Sequence, residues 1–503
     1  MSKLKVNIAA NIGGASVGAF TQLVCAPIYV RLLGIDAYGL VGFFLTLQAS
    51  LRVLDLGLAP TLNRQLARYS VQMEKAQESR DFVRTLEVVY LLMGLIVVIA
   101  ICLAAPVIAD RWIKHGAIPV WEVRRAVVLM GVLVAVQWPL SLYQGGLLGL
   151  QRQVEMNVVR SVAAVFNGGG AVLVLWCFSG NILTFFVWQV LANFAYVLTM
   201  AIVLWTKLPP ASRRARFDIR PLREVASFTG GMSGTAVAGV ALTQMDKIIL
   251  SKILPLALFG YYSLGVLIAN SLQLFIGPLF NALFPRLSAL VAHGDEQGVH
   301  RVYHQGSQTM AALIFPLTLL LALFAPEVLR LWTGNAAVAA NVAPIVQFLV
   351  VGTAINGIMY LPYALQLANG WTSLSLVVSV CMCVTIIPTV YLLASRYGGP
   401  GAAAGWLIVN LLNFAIAFPL THRRLLPREA WKWLGQDICP PLVGAAAVVL
   451  LGRRFMPLVG DRIEASGELV LLLLLAYIVT AVCTPSIRAW SRGQLRLLAA
   501  SSR

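Results

Sequence analysis

Charged residues are scarce in this sequence of 503 residues, and their scarcity excludes a large soluble protein. Only 12% of the residues are Asp, Glu, Lys or Arg, whereas 59% are apolar. Soluble domains carry about 25% charged residues. Because one membrane span takes about 20 apolar residues, the chain has room for about fourteen spans and little else. The sequence therefore predicts an all-α polytopic membrane protein.

Motifs for nucleotide and metal chemistry are also missing. Without any Gly-Lys dipeptide, no Walker A loop can bind ATP, and no H-E-x-x-H zinc motif occurs. The seven cysteines form no C-x-x-C pair, which indicates buried apolar side chains. His300 and His304 lie one helical turn apart, but no carboxylate or cysteine completes a ligand set, so we expect a solvated cytoplasmic loop. We predict no enzyme, no metal and no cofactor.

Apolar runs divide the chain into spans, and basic residues orient them. The first run continues to about residue 33, which is too long for a cleaved signal peptide. Most of the 38 Lys and Arg residues fall in segments that are cytoplasmic if the N-terminus is inside. We therefore predict both termini in the cytoplasm, and we attribute the net charge of +18 to these loops and to anionic lipid headgroups, not to nucleic acid. The predicted spans are residues 8–33, 39–66, 85–109, 124–148, 153–176, 181–205, 226–253, 257–283, 304–326, 342–365, 371–394, 401–421, 438–457 and 467–485.

The longest loop and a short internal repeat suggest the domain organisation. Residues Thr206–Ser227 contain two prolines and six basic residues, and Lys252–Gly260 repeats the pattern of Arg31–Gly39, with an aromatic-Gly pair at its end. Repeats with an even number of spans are parallel and place a substrate site between them near the midplane. The predicted domains are a six-helix lobe 1–205, a basic linker 206–227, a parallel six-helix lobe 228–421, and two extra helices with a basic tail, 422–503.

A few polar side chains inside the spans mark the candidate site. A charge in a span costs about 2.5–3.5 kcal/mol on insertion scales and suggests a function. Polar stripes at helical spacing on spans one, two and eight must face protein or a wet cavity, and packing through amide and small residues is the alternative explanation. The candidate substrate-binding residues are Asn11, Gln22, Arg31, Gln48, Arg52, Asp55, Asp246, Lys247, Asn270 and Gln273.

Four segments carry a resemblance to a known family, and they are Pro27–Gly39, Val53–Arg68, Met245–Gly265 and Leu283–Leu290. They resemble the polysaccharide biosynthesis flippases, named Wzx in O-antigen systems, of the multidrug/oligosaccharidyl-lipid/polysaccharide exporter superfamily. The resemblance implies that two lobes move undecaprenyl-pyrophosphate-linked oligosaccharide across the bacterial inner membrane by alternating access. It implies a monomer in contact with membrane lipids and with the glycosyltransferases and polymerase of the same pathway, and no nucleic-acid partner.

Arg52, aided by Arg31, suits the pyrophosphate because a guanidinium donates two parallel hydrogen bonds and stays charged. Alternatively, Arg52 neutralises Asp55, and Lys247 is either an anion contact or the ion-pair partner of Asp246. Rival functions are a peptidoglycan-precursor flippase, a multidrug cation antiporter and, with least support, a membrane polymerase or ligase. The energy source stays open between the membrane potential and a proton or sodium gradient.

Overall fold

Helices dominate the computed structural model, and no strand occurs in the residues it describes, which are 3–55, 57–70, 72–211, 213–218, 243–456 and 461–489. The first eight helices are α1 Lys3–Leu33, α2 Ile35–Leu51, α3 Leu58–Tyr69, α4 Ala76–Val107, α5 Val120–Gln137, α6 Leu140–Gly149, α7 Gln153–Cys177 and α8 Ile182–Lys207. Helix α9 covers residues 243–253. The remaining helices are α10 Leu256–Ala269, α11 Gln273–Ala292, α12 Glu296–Leu323, α13 Ala325–Thr333, α14 Ala336–Ala368, α15 Thr372–Leu425, α16 Ala430–Lys432, α17 Cys439–Phe455 and α18 Arg462–Cys483.

The prediction of an all-α polytopic membrane protein is confirmed. In the described part of the chain, 12 helices are long and apolar enough to cross a membrane. One of them, α15, is two helices joined at Gly398, which has a φ of 63°. Most of the predicted span 226–253 lies outside the described residues, so the count of about fourteen spans stays a prediction.

The second predicted span, 39–66, is not one continuous helix, and that expectation was wrong. Helix α2 ends at Leu51, a 3₁₀ turn covers Arg52–Asp55, and α3 begins at Leu58. Gly57 causes the break, because its φ of 80° lies in the left-handed region, which a residue with a Cβ adopts at a cost of about 1–2 kcal/mol. The break therefore places Arg52 and Asp55 on irregular backbone.

The chain divides into two compact units, Met1–Gly260 and Tyr261–Arg503. In the first unit, α7 packs against α1 and α8, and α5 packs against α4 and α8. In the second, α14 packs against α11, α12 and α15, and the two C-terminal helices α17 and α18 pack against α12. The predicted domain boundaries stay a prediction.

Contacts beyond α8 explain why the first unit extends to Gly260. The Trp112 indole N–H donates to Ser251 Oγ at 3.0 Å, and Lys114 Nζ donates to the Ile253 carbonyl at 2.7 Å. The Leu256 amide also donates to the Lys114 carbonyl at 3.1 Å. These bonds attach the end of α9 and the start of α10 to the segment after α4.

Part of the predicted linker is bound to the first unit. We call residues 213–218 the docked segment. Arg213 Nη2 lies 2.7 Å from Asp81 Oδ2, and the Arg216 amide donates to Asp81 Oδ1 at 2.8 Å. The Asp218 amide donates to Thr85 Oγ1 at 2.9 Å. Both acceptors are buried on α4, so this part of the linker is held at the N-terminal end of that helix; residues 219–227 lie outside the described residues.

Candidate functional site

A cavity of about 560 Å³ lies within the first unit, and we call it the polar cavity. Its charged lining residues are Arg52 and Asp55 from the 3₁₀ turn and Arg160 from α7. Amide and hydroxyl side chains from α2, α5, α6, α7 and α8 complete the polar lining. They are Gln48, Gln137, Ser141, Gln144, Asn167 and Tyr196. The volume is within the range of about 300–1,000 Å³ that is usual for ligand sites.

Asp55 is held by two hydroxyl groups and not by the neighbouring arginine. The Tyr90 and Ser141 hydroxyls both donate to Asp55 Oδ1, the latter at 3.0 Å. Tyr90 comes from α4 and is only 1% exposed. Two donors on one carboxylate oxygen fix the orientation of the carboxylate.

The guanidinium of Arg52 is exposed to the polar cavity, and no carboxylate of the described residues lies within 4.0 Å of it. The alternative in which Arg52 neutralises Asp55 through an ion pair is therefore not the arrangement seen. Arg160, also exposed, likewise has no ion pair within the described ranges. With two arginines and one hydroxyl-bonded carboxylate, the polar cavity has the chemistry to bind an anion.

Hydrogen bonds fix the amide groups in the cavity wall. Gln48 Nε2 donates to Gln137 Oε1, and Gln144 Nε2 donates to the Tyr196 hydroxyl at 3.1 Å. The candidate list contained only Gln48 of these residues. A pattern in the sequence could have revealed more, because Gln137, Ser141 and Gln144 are spaced four and three residues apart and so share a helical face.

Gln22 lines a second, smaller cavity next to the polar cavity. This cavity of about 230 Å³ is also lined by Tyr29, Tyr38 and Gln189, and we call it the passage. It shares the wall residues Ala164 and Asn167 with the polar cavity. Gln22, Gln48, Arg52 and Asp55 are therefore brought to two adjoining cavities, as the polar stripes on spans one and two suggested.

Asn11 and Arg31 lie away from these cavities. Asn157 Nδ2 on α7 donates to Asn11 Oδ1 at 2.6 Å, and Asn11 Nδ2 donates to Gln153 Oε1 at 3.2 Å. Asn11 therefore joins α1 to α7, as expected for amide-mediated helix packing. Arg31 is exposed in the last turn of α1.

The remaining candidates line neither the polar cavity nor the passage. Lys247 Nζ lies 3.0 Å from Asp246 Oδ1 and donates to the Thr243 carbonyl at 2.8 Å. The local ion pair is thus the arrangement present for Lys247. Asn270 is exposed and Gln273 is half-buried at the start of α11, and both belong to the second unit.

A cluster of charged side chains in the second unit was not predicted. His304 Nδ1 bonds to Asp437 Oδ2, and His304 Nε2 lies 3.2 Å from Glu429 Oε2. Gln308 Nε2 donates to the other Asp437 oxygen at 2.7 Å. The expectation of a solvated loop was wrong, because His300 and His304 lie on α12 and His304 is only 14% exposed. The carboxylates come from the segment before α17, which is distant in sequence.

The charges around Glu429 change its acidity. Burial acts to raise the pKa of the Glu429 carboxyl, but the hydrogen bond and charge of Lys432, with His304 and His300, outweigh it and lower the pKa below its ordinary value. Lys432 Nζ lies 3.1 Å from Glu429 Oε2. No group of three or more His, Cys, Asp or Glu residues within the described ranges could hold a metal ion.

Comparisons with known proteins identify the family of the chain and a similar protein. Residues 28–340 match the model of the family described as "Polysaccharide biosynthesis protein". A Shigella flexneri protein named "Putative O-antigen transporter" is 19% identical over 403 residues, which are 80% of this chain and 94% of that protein.

Two solved structures share the fold. Lipid II flippase MurJ, in an inward closed conformation, aligns with a TM-score of 0.70 and 12% identity over 95% of this chain and 98% of its own. An inward-facing multidrug resistance MATE family transporter of the MOP superfamily aligns with a TM-score of 0.65 and 14% identity. That alignment covers 82% of this chain and 98% of the other.

Proposed function

Because the chain belongs to the polysaccharide biosynthesis protein family, we propose that it is a flippase for undecaprenyl-pyrophosphate-linked oligosaccharide. The observation that carries the proposal is the guanidinium of Arg52, which is exposed to the polar cavity while Asp55 is bonded to Tyr90 and Ser141. An arginine in this state can donate two parallel hydrogen bonds to a phosphate. Arg160 supplies a second positive charge in the same cavity.

The amide and hydroxyl groups of the polar cavity suit the sugar part of such a lipid. Gln137, Gln144 and Tyr196 can exchange hydrogen bonds with sugar hydroxyls, which replaces the water lost when the headgroup leaves the aqueous phase. A drug cation would meet two arginines, so the lining disfavours the multidrug cation antiporter. A peptidoglycan precursor carries the same pyrophosphate and stays the second candidate, favoured by the fold shared with the lipid II flippase. Transport of either substrate involves no covalent step, so no polymerase or ligase activity is proposed.

We propose that the membrane potential drives transport. Moving a negative headgroup from the inner to the outer leaflet is favourable by about 2.3 kcal/mol per elementary charge for each 100 mV. Proton coupling through Asp55 or Asp246, or sodium coupling, is the alternative. The proposal places the protein in the bacterial inner membrane with both termini in the cytoplasm, beside the glycosyltransferases and polymerase of its pathway.

Substitution of Arg52 tests the proposed function. Arg52→Ala removes charge-assisted hydrogen bonds worth about 1.5–3 kcal/mol each, so we expect export to fall by about tenfold to a hundredfold or more. Arg52→Lys should recover only part of the export, because a point charge lacks the planar fork. The readouts are surface polysaccharide and accumulated lipid-linked oligosaccharide in a strain that depends on this protein.

The matched control is Arg111→Ala, which removes an exposed arginine that does not line the polar cavity. It should leave export unchanged. Normal surface polysaccharide in the Arg52→Ala strain, at an equal amount of protein in the membrane, would contradict the proposed function.

A further inference from the structure

An apolar groove lies between α1 and α7 in the first unit. Its volume is about 590 Å³, and its walls include Val17, Phe20 and Val24 on α1 and Val165 and Gly169 on α7. Phe20 is 69% exposed and Val165 is 54% exposed. In a membrane-spanning pair of helices, exposed apolar side chains of this kind face lipid.

The apolar groove adjoins the passage, and the passage adjoins the polar cavity. The groove and the passage share Thr21 and Cys25, and the passage and the polar cavity share Ala164 and Asn167. The three spaces therefore form a row from Arg52 to the exposed edge of α1 and α7. One molecule with a polar and an apolar end can occupy the whole row.

Gly168 and Gly169, two of three consecutive glycines in α7, line this row, and Gly169 is not explained by helix packing. A glycine in a helix interior destabilises the helix by about 1 kcal/mol relative to alanine. A Cβ on Gly168 would lie 2.7 Å from Thr21 Cγ2, and a Cβ on Gly170 would collide with the Trp188 ring, so both glycines permit close packing. A Cβ on Gly169 would meet no atom within 4 Å. The missing side chain at Gly169 widens the apolar groove and serves no described contact of the protein.

We propose that the apolar groove holds the polyprenyl chain of the lipid whose phosphate binds in the polar cavity. This proposal rests on the proposed function and extends it to the tail of the substrate. The passage, at about 230 Å³ and with Tyr29 and Tyr38 in its wall, suits one linear chain and not the paired chains of a diacyl lipid. Lipid tails are as apolar as the groove, so transfer from the bilayer gives little free energy. The groove therefore selects by shape and guides the tail while the headgroup is bound.

Filling the groove tests this proposal without changing the polar cavity. Gly169→Phe introduces a ring into open space, and Gly467→Phe on α18 is the matched control, since a Cβ there also meets nothing within 4 Å. Binding to the purified full-length protein is measured with two probes, undecaprenyl phosphate and inorganic pyrophosphate. We expect Gly169→Phe to weaken undecaprenyl phosphate binding by about tenfold, or about 1.4 kcal/mol, and to leave pyrophosphate binding and the control variant unchanged.

Two results with this variant would overturn the proposal. Unchanged affinity for undecaprenyl phosphate would show that the tail does not use the groove. Equal weakening of both probes would show that the ring acts on the polar cavity through the shared wall. Arg52→Ala, in contrast, should weaken both probes; if it weakens neither, the proposed phosphate site fails while Gly169→Phe still decides the location of the tail.

A second measurement uses the wild-type protein and does not depend on the folding of a variant. Undecaprenyl phosphate with a diazirine in its chain should label peptides that contain residues 16–25 and 164–169, and excess unlabelled undecaprenyl phosphate should suppress the labelling. Labelling confined to other peptides would overturn the proposal. Equal suppression by diacyl phosphatidylglycerol would overturn the assignment of a single-chain occupant.

Discussion

Gly39 and Gly260 pack against each other's helices in a reciprocal contact. A Cβ on Gly39 of α2 would collide with the Leu256 carbonyl oxygen, and a Cβ on Gly260 of α10 would lie 2.5 Å from the Ile35 carbonyl oxygen. Ile35 and Leu256 occupy equivalent positions in the two repeated segments, four residues before each glycine. The weak repeat in the sequence thus corresponds to a contact that is nearly symmetric.

This contact predicts that neither glycine tolerates a side chain. Gly39→Ala and Gly260→Ala each place a methyl group against a backbone oxygen that cannot rotate away, so we expect a loss of about 1–3 kcal/mol in stability. Thermal denaturation of the detergent-solubilised protein, followed by size-exclusion chromatography, measures the loss. Gly13→Ala is the control, because a Cβ there meets nothing within 4 Å. Equal melting temperatures for Gly39→Ala and Gly13→Ala would contradict the prediction.

The stability of the folded protein should depend on the hydrogen bonds that Asp55 accepts. Both donors bond to Oδ1, so the carbonyl oxygen of Asp55→Asn can keep both bonds. Asp55→Ala removes this acceptor from the Tyr90 hydroxyl and leaves the Ser141 hydroxyl only its weaker bond to the Trp138 carbonyl at 3.5 Å. We expect Asp55→Ala to lose about 1–3 kcal/mol and Asp55→Asn to lose much less, as judged by thermal denaturation.

The same pair of variants tests the energy source. If the membrane potential drives transport, Asp55→Asn should keep export sensitive to the potential in reconstituted vesicles, because the neutral side chain leaves the arginines in place. Loss of all transport in a stable Asp55→Asn protein would instead favour proton coupling through this carboxylate.

The lowered pKa of Glu429 predicts that the protein loses stability at acidic pH. Its pKa is lowered in the folded protein, whereas an unfolded chain has a glutamate pKa of about 4.3. The stabilisation is therefore complete above about pH 4.3 and is lost as pH falls through the lowered folded pKa. Glu429→Gln should lower the free energy of unfolding by about 1 kcal/mol near neutral pH, which lowers the melting temperature. The difference in melting temperature from wild type should shrink below about pH 4. A difference that does not change with pH would refute this. Glu464→Gln, an exposed residue of α18, is the control.

The docked segment should become accessible to protease when Asp81, which accepts its hydrogen bonds, is replaced. Asp81→Asn weakens the contacts with Arg213 and with the Arg216 amide. Hydrogen bonds to charged groups contribute about 1.5–3 kcal/mol, and cleavage follows the open population when opening is fast. We therefore expect trypsin to cut after Arg213, Arg214 or Arg216 at least about tenfold faster. Unchanged cleavage in Asp81→Asn would contradict the docking, and Glu74→Gln, outside these contacts, is the control.

The sequence predicts the helical membrane fold and part of the polar cavity, for different physical reasons. The helical membrane fold can be predicted because long apolar runs are evident in the amino-acid sequence. Arg52 and Asp55 can be picked out because charged residues in a membrane span are rare. The partners of Asp55 could not be predicted, because Tyr90 and Ser141 lie on other helices and meet it only through tertiary packing. For the same reason, the sequence around His304 gave no sign of Asp437 and Glu429.

The break at Gly57 has a consequence for hydration. Between Leu51 and Leu58 the α-helical ladder is interrupted, so some backbone amides and carbonyls there have no partner in the regular helix. Irregular backbone at membrane depth persists only where it is buried in protein or borders a water-filled space. The polar lining of the cavity beside Arg52 meets the second condition, so we expect the cavity to hold water before any substrate arrives. A headgroup that enters then exchanges one set of hydrogen bonds for another instead of moving from water into hydrocarbon.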